Sequence, residues 1–192
     1  MFNKIENYIP YDCFKTVYDI DYNKLYEEGK RIILMDIDNT LIPYDVSSPD
    51  QKLIELINGI TSIGFKIVFI SNNHKKRVEA FANIFNADFV YSAWKPLKKG
   101  YRKALKLTGH DHLDEIIAIG DQVMTDVLGA NKVGIKCILV KPLKIVNEKW
   151  YTKLNRKIEN RIINKLKKKH FDVYTKIKEL KEIWKIDVMV VG

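Results

Sequence analysis

The sequence predicts an α/β fold: a doubly wound, Rossmann-like parallel sheet followed by a basic helical extension. Three observations carry this. Short runs of wholly apolar, β-branched-rich residues recur along the first 140 positions, as strands buried on both faces require. Segments with apolar residues at helical spacing separate them, and alternation of the two implies parallel strands with helices on both faces. Nearly every apolar run also ends in polar or charged residues, and ligands of such sheets sit beyond the carboxyl ends of the strands.

Taken in order, Ile32-Ile33-Leu34-Met35 is the first strand, ending in Asp36-Ile37-Asp38-Asn39-Thr40. Pro49 to Ile63 carries apolar residues at 53, 54, 56, 57 and 60, a helix that Gly64 stops. Ile67-Val68-Phe69-Ile70 is the second strand, closed by Ser71-Asn72-Asn73, and 75–86 is a helix with Val78, Phe81, Ala82 and Phe85 on one side. Phe89-Val90-Tyr91 is a short strand before Trp94-Lys95-Pro96, and 99–108 is helical. Glu115 to Ile119 gives a strand closed by Gly120-Asp121, then a helix over 123–132 carries Asp126, and Cys137-Ile138-Leu139-Val140 is the last strand.

After Pro142 the texture changes. Trp150, Leu154, Ile158, Ile162 and Leu166 recur every four residues between Lys and Arg, so 147–169 reads as a basic amphipathic helix. Val173, Ile177, Leu180 and Trp184 suggest another before the apolar end Val188-Met189-Val190-Val191. The domain organisation read here is a core over 1–146 with an N-terminal lead-in, and a helical tail over 147–192. Residues 1–140 contain 18 basic and 18 acidic side chains, and residues 141–192 contain 15 and 6, so the whole net charge of +9 lies in the last quarter of the chain, most of it in the tail. Such a tail suits an anionic surface, whether membrane headgroups, RNA or an acidic protein, or else a solvated helical face. Packing of the apolar stripes on the body or on a second subunit competes with membrane-surface docking through 147–185.

Composition narrows the class. With 192 residues, 9 Gly and 5 Pro, the chain is an ordinary globular one, which excludes collagenous and low-complexity readings. Cys13 and Cys137 alone make no disulfide framework or cysteine zinc cluster, which points to a reducing compartment. No apolar run spans a bilayer and the first residues lack a signal-peptide layout, so the expected location is cytoplasmic, including peripherally at the inner face of the membrane.

The strand ends form a chemical set. Two carboxylates two residues apart behind a strand, Asp36 and Asp38, let one face a substrate while the other reaches its leaving group. Alone, an Asp-x-Asp is as much a surface loop or a glycosyltransferase metal site. Together with a hydroxyl (Ser71), a fixed cation (Lys95) and more hard oxygen ligands (Asp121, Asp126), it suits phosphoryl transfer to a carboxylate with Mg²⁺ neutralising charge. Asn39 and Asn72 either contact substrate or shape their turns. Lys98 and Lys99 are rivals to Lys95 that read better as a solvated basic loop. His74, His110, His112 and His170 match no zinc spacing. His74 lies near the Ser71 loop, where it either touches substrate or begins a helix.

These four strand-end motifs resemble the haloacid dehalogenase (HAD) superfamily of phosphohydrolases: Asp36-Ile37-Asp38-Asn39-Thr40-Leu41, then Ile70-Ser71-Asn72, then Lys95-Pro96, then Gly120-Asp121 with Asp126. The resemblance implies that Asp36 is the nucleophile and a Mg²⁺ ligand. It makes Asp38 the general acid and base, whose main-chain carbonyl binds the metal. Asn39, Thr40, Ser71, Asn72 and Lys95 would meet phosphate or substrate, Asp121 would bind Mg²⁺, and Asp126 would do so directly or through water. The gaps Thr40–Ser71 and Asn73–Lys95 are too short for a cap domain, so an uncapped site is expected, open to a large substrate or closed by another subunit.

The Ser-Asn-Asn, Ala-Trp-Lys-Pro and Gly-Asp-Gln-x-x-Thr-Asp stretches are similar to the YqeG-type branch of HAD subfamily IIIA, over about residues 5–163. That branch is similar to phosphatidylglycerophosphate phosphatases, which implies an aspartyl-phosphate enzyme acting on a phosphorylated lipid headgroup. Two readings compete. One is a phosphatase for a soluble sugar phosphate or nucleotide, with a homo-oligomer partner as lid and tail contact; a phosphoprotein substrate lacks a peptide groove. The other is an RNA- or ribosome-associated binding module on a phosphatase-like scaffold, which the complete catalytic set and the lack of an aromatic stacking platform count against, so no nucleic acid is expected.

Overall fold

The structure, a computed structural model, describes residues 4–110, 112–143 and 150–190, and for 150–157 and 181–190 the backbone alone. Six strands form one all-parallel sheet: β1 (Asp12–Phe14), β2 (Ile32–Met35), β3 (Lys66–Ile70), β4 (Asp88–Val90), β5 (Ile116–Gly120) and β6 (Lys136–Val140). Their spatial order is β1-β6-β5-β2-β3-β4. From β2 the chain winds outward through β3 and β4, and β5, β6 and β1 occupy the other half. The switch point therefore falls between β2 and β5, where this class of sheet opens a crevice.

Burial explains the strands. Every residue of β2 and β5 is buried, because helices cover both faces of the sheet. Ile32 and Leu34 point to one face, with α4 (Lys98–Thr108), α5 (Leu128–Lys132), α6 (Trp150–Leu166) and α7 (Phe171–Val190) packed there. Ile33 and Met35 point to the other, against α1 (Tyr22–Glu27), α2 (Gln51–Ile63) and α3 (Lys75–Ile84). The edge strands β1 and β4 are only three residues each, and short edges limit pairing with other chains. Caps set the helix starts: Asp50 accepts from Leu53 N–H at 2.8 Å for α2, and Asp21 from Lys24 N–H at 3.0 Å for α1.

The doubly wound parallel sheet with its helical C-terminal region is as the sequence predicts. Only α2 and its flanking loops lie between β2 and β3, and only α3 lies between β3 and β4, so neither gap holds a cap. Three details differ. β1 and α1 are additional elements, too short to show periodicity. The helix expected at 123–132 divides into a π-helical turn, Val123–Val127, and α5. The apolar end does not form a separate segment, since α7 continues to Val190.

The tail helices lie on the body. Ile163, Leu166, Ile177 and Leu180 are buried in the same core cluster as Ile32, Leu34 and Cys137. The buried row of α6 drifts from the four-residue spacing seen in sequence: Ile158 and Ile162 are half-buried, whereas Ile163 and Leu166 are covered, because a helix turns every 3.6 residues. Lys176 of α7 also pairs with Asp12 of β1 at 3.1 Å. The side chains of Trp150, Leu154, Trp184 and Val188 to Val191, and the boundary expected at 146/147, lie outside the described residues. Among those described, no helix is long and apolar enough to cross a membrane.

Candidate active site

The site forms where β2 and β5 end. The Asp36 N–H still donates to Ile119 O at 3.0 Å, which holds the residue in register with β5. The chain then turns through Asn39, whose φ of 64° lies in the left-handed region that Asn tolerates better than most residues. Thr40 Oγ1 donates to Asp36 Oδ2 at 3.0 Å, fixing the carboxylate. Asp38 lies further out and accepts three bonds: from Ser71 Oγ at 3.1 Å, Asn73 Nδ2 at 3.1 Å and Arg77 Nε at 2.7 Å.

Lys95 arrives from the loop after β4, which is fastened to the loop after β3. Ala93 N–H donates to Ser71 O at 3.0 Å and Ser92 N–H to Asn73 O at 2.8 Å. Asn72 holds the Lys95 backbone at both ends, accepting from its N–H at 2.6 Å and donating to its carbonyl at 3.2 Å. These two bonds shape the turn that carries Lys95. The Lys95 ammonium lies 2.5 Å from Asp36 Oδ1 and 2.6 Å from Asp126 Oδ1, whereas Lys98 and Lys99 are exposed in the first turn of α4. A Cβ at position 100 would come within 2.2 Å of Ala93 O, so Gly100 permits α4 to start against this loop.

Asp126 comes from the π-helical turn. Its Oδ2 accepts from Gln122 N–H at 3.1 Å and Thr125 Oγ1 at 3.0 Å, and Tyr101 donates its hydroxyl to Asp126 O at 3.1 Å. Gly120 makes room for it, since a Cβ there would lie 2.3 Å from Asp126 Cγ. Carboxylate oxygens of Asp36, Asp121 and Asp126, all three buried, lie within 4.8 Å of one another.

Electrostatics follow from that crowding. Burial pushes the Asp36 carboxyl up to about 7; Lys95 pulls it down, and Asp126 and Asp38 add to the rise. Burial alone would lower the Lys95 ammonium, but Asp126 and Asp36 outweigh it and hold its pKa above the ordinary value. Three carboxylates against this one ammonium leave a deficit of two positive charges when all are ionised. An all-oxygen donor set with that deficit fits a hard divalent cation.

The structure thus brings Asp36, Asp38, Thr40, Ser71, Lys95, Asp121 and Asp126 to one sheet edge. Asn39 is buried, and its Oδ1 has no hydrogen-bond partner among the described residues. His74 caps α3, accepting from Arg77 N–H at 3.4 Å, while His110 faces Glu115 at 3.2 Å. Cys137 is a buried core residue. Sequence reasoning missed Arg77, Asn73, Thr125 and Tyr101. Arg77 had a signal: Lys75, Lys76 and Arg77 fill the first turn of α3, where the helix dipole disfavours cations. A cation there needs an acidic partner, and for Arg77 it is Asp38.

Comparison with known proteins agrees with this geometry. The chain matches the haloacid dehalogenase-like hydrolase family over residues 10–134. It is 34% identical over 162 residues to a Bacillus subtilis (strain 168) protein named probable phosphatase YqeG, covering 84% of this chain and 93% of that one. Among solved structures, a Vibrio cholerae protein assigned as a 3-deoxy-D-manno-octulosonate 8-phosphate phosphatase superposes with a TM-score of 0.50 at 12% identity, covering 77% of this chain and 82% of that one. A Listeria monocytogenes serotype 4b protein of uncharacterized role gives 0.48 at 19% identity, covering 62% and 85%. The chain belongs to the haloacid dehalogenase-like hydrolases and is an enzyme of the phosphatase type.

Proposed function

We propose that the chain is a Mg²⁺-dependent phosphomonoester hydrolase that works through an aspartyl-phosphate on Asp36 and takes phosphatidylglycerophosphate to phosphatidylglycerol. The observation that carries the reaction is the placement of Asp36: buried, gripped by Thr40 and Lys95, with Asp121 and Asp126 beside it and Asp38 two residues on. Asp36, Asp121 and Asp126, with the Asp38 main-chain carbonyl, would hold Mg²⁺, which when bound supplies charge neutralisation for an anionic nucleophile meeting an anionic phosphate.

In the first step an Asp36 carboxylate oxygen forms a bond to phosphorus as the ester oxygen leaves, taking a proton from Asp38. In the second, Asp38 takes a proton from water, whose oxygen attacks phosphorus, releasing phosphate and restoring the Asp36 carboxylate. Lys95 and Ser71 hold phosphoryl oxygens throughout. Ser71, Asn73 and Arg77 hold the Asp38 carboxyl in place for both proton transfers.

Support for the lipid comes from the lack of an inserted cap. No cap domain is inserted between β2 and β4, which leaves room for a headgroup whose acyl chains stay outside. The test is phosphate release with Mg²⁺ from phosphatidylglycerophosphate in mixed micelles, beside a panel of soluble phosphate esters. Preference for the lipid is expected. Turnover of soluble esters alone would keep the chemistry and overturn the substrate.

A further inference from the structure

The turn between β4 and α4 shows an apolar pair to solvent. Trp94 is 71% exposed and Leu97 57%. The Leu97 N–H donates to Trp94 O at 2.8 Å, which closes the turn and sets the two side chains at its ends. Between them, Lys95 points the opposite way, into the carboxylates, and is buried. Trp94 holds a φ of 54°, in a region that bulky residues avoid. Backbone held against preference persists at functional sites.

The helix that follows is one-sided in charge. Tyr101, Ala104 and Thr108 of α4 are buried, while Lys99, Arg102, Lys103 and Lys106 line one shallow groove on its outer side. No acidic residue occurs between Lys98 and Thr108. An exposed Trp and Leu thus adjoin a row of cations, and both begin at the lip of the catalytic cleft.

We infer that the Trp94–Leu97 turn and the outer face of α4 form a docking surface for an anionic lipid bilayer. Trp and Leu suit the interfacial zone, where an aromatic ring keeps one edge wet and an aliphatic side chain finds apolar neighbours. The α4 cations match lipid phosphates. A nucleic acid would match the cations equally but offers Leu97 nothing, so lipid is the better partner. Docking here puts Lys95 directly behind the contacting turn, and a headgroup need travel little to reach it. The inference rests on the lipid-phosphate reading above, and it moves membrane contact from the tail to the core. The apolar residues Ile163, Leu166, Ile177 and Leu180 of the tail are already spent on the body.

The test uses the full chain, sedimented with phosphatidylcholine vesicles with or without phosphatidylglycerol, and with a single-stranded RNA as the alternative polyanion. Two variants carry it: Trp94→Ser with Leu97→Ser, and Lys99→Gln, Arg102→Gln, Lys103→Gln and Lys106→Gln together. Turnover of p-nitrophenyl phosphate is followed in parallel. The native chain is expected to prefer anionic vesicles, and each variant to lose about tenfold in vesicle affinity, with soluble turnover within about twofold of native. Native-like vesicle binding by both variants, or binding to RNA with none to vesicles, overturns the inference. If the turn variant also loses soluble turnover, the α4 variant decides alone. Vesicle binding through this surface without hydrolysis of the lipid phosphate would keep the docking surface and overturn only the substrate.

Discussion

At Asp36, burial and neighbouring carboxylates set a pH dependence of stability that a divalent cation would reshape. The group has an ordinary pKa of 3.8 and is raised to about 7 in the fold. Between those values the folded metal-free chain keeps a proton that the unfolded chain has released, so stability falls as pH rises through this window and levels off above it. The slope is at most about 1.4 kcal/mol per pH unit. Thermal melts in chelator at pH about 5 and about 7.5 should show the decline, Mg²⁺ should reduce it, and Asp36→Asn should remove this group's share. In the proposed mechanism Arg77, bonded to Asp38 at 2.7 Å, is a positioning residue. Arg77→Leu should lower kcat by about tenfold to 10²-fold with KM little changed, and Arg77→Lys should restore part of it. At Gly120, a methyl group would strike Asp126, so Gly120→Ala should weaken Mg²⁺ affinity in a titration of the folded protein while leaving the sheet intact.

Among the elements, α6 and α7 complete one face of the sheet. Leu166 is fully buried, and Leu166→Ala should destabilise the fold by about 2–5 kcal/mol in chemical denaturation. Truncation after position 146 should leave an exposed apolar face and an aggregating product, read by solubility and by dye binding. A truncated chain that stayed monomeric with native stability would show that the tail packs without supporting the core. The long strands and helices were legible because their periods, two-sided burial and 3.6, were sustained over enough residues. β1 and α1 were not, being only three and six residues long. The π-helical turn was illegible for a related reason: its purpose is to set Asp126 against Gly120, a contact between residues that sequence periodicity does not register.

For the whole molecule, the positions of Asp36, Lys95 and Asp121 were readable because strand ends of one parallel sheet must converge. The second layer was not. Asn72 clamps the Lys95 backbone and Arg77 holds Asp38, contacts that the sequence did not reveal because side-chain direction is decided by packing. The net +9 draws attention to the tail, whereas the cations of α4 belong to a helix whose first turn follows the Lys95 loop. In the proposed mechanism these parts converge on one chemical event, transfer of a phosphoryl group to Asp36. The most direct test is rapid acid quench of the Mg²⁺-loaded enzyme during turnover of a phosphate ester, followed by mass spectrometry of its peptides. A phosphate adduct on the peptide carrying Asp36 is expected, absent in Asp36→Asn together with a loss of turnover of about 10⁴-fold or more. Continued turnover by Asp36→Asn, or an adduct on another side chain, would contradict the account.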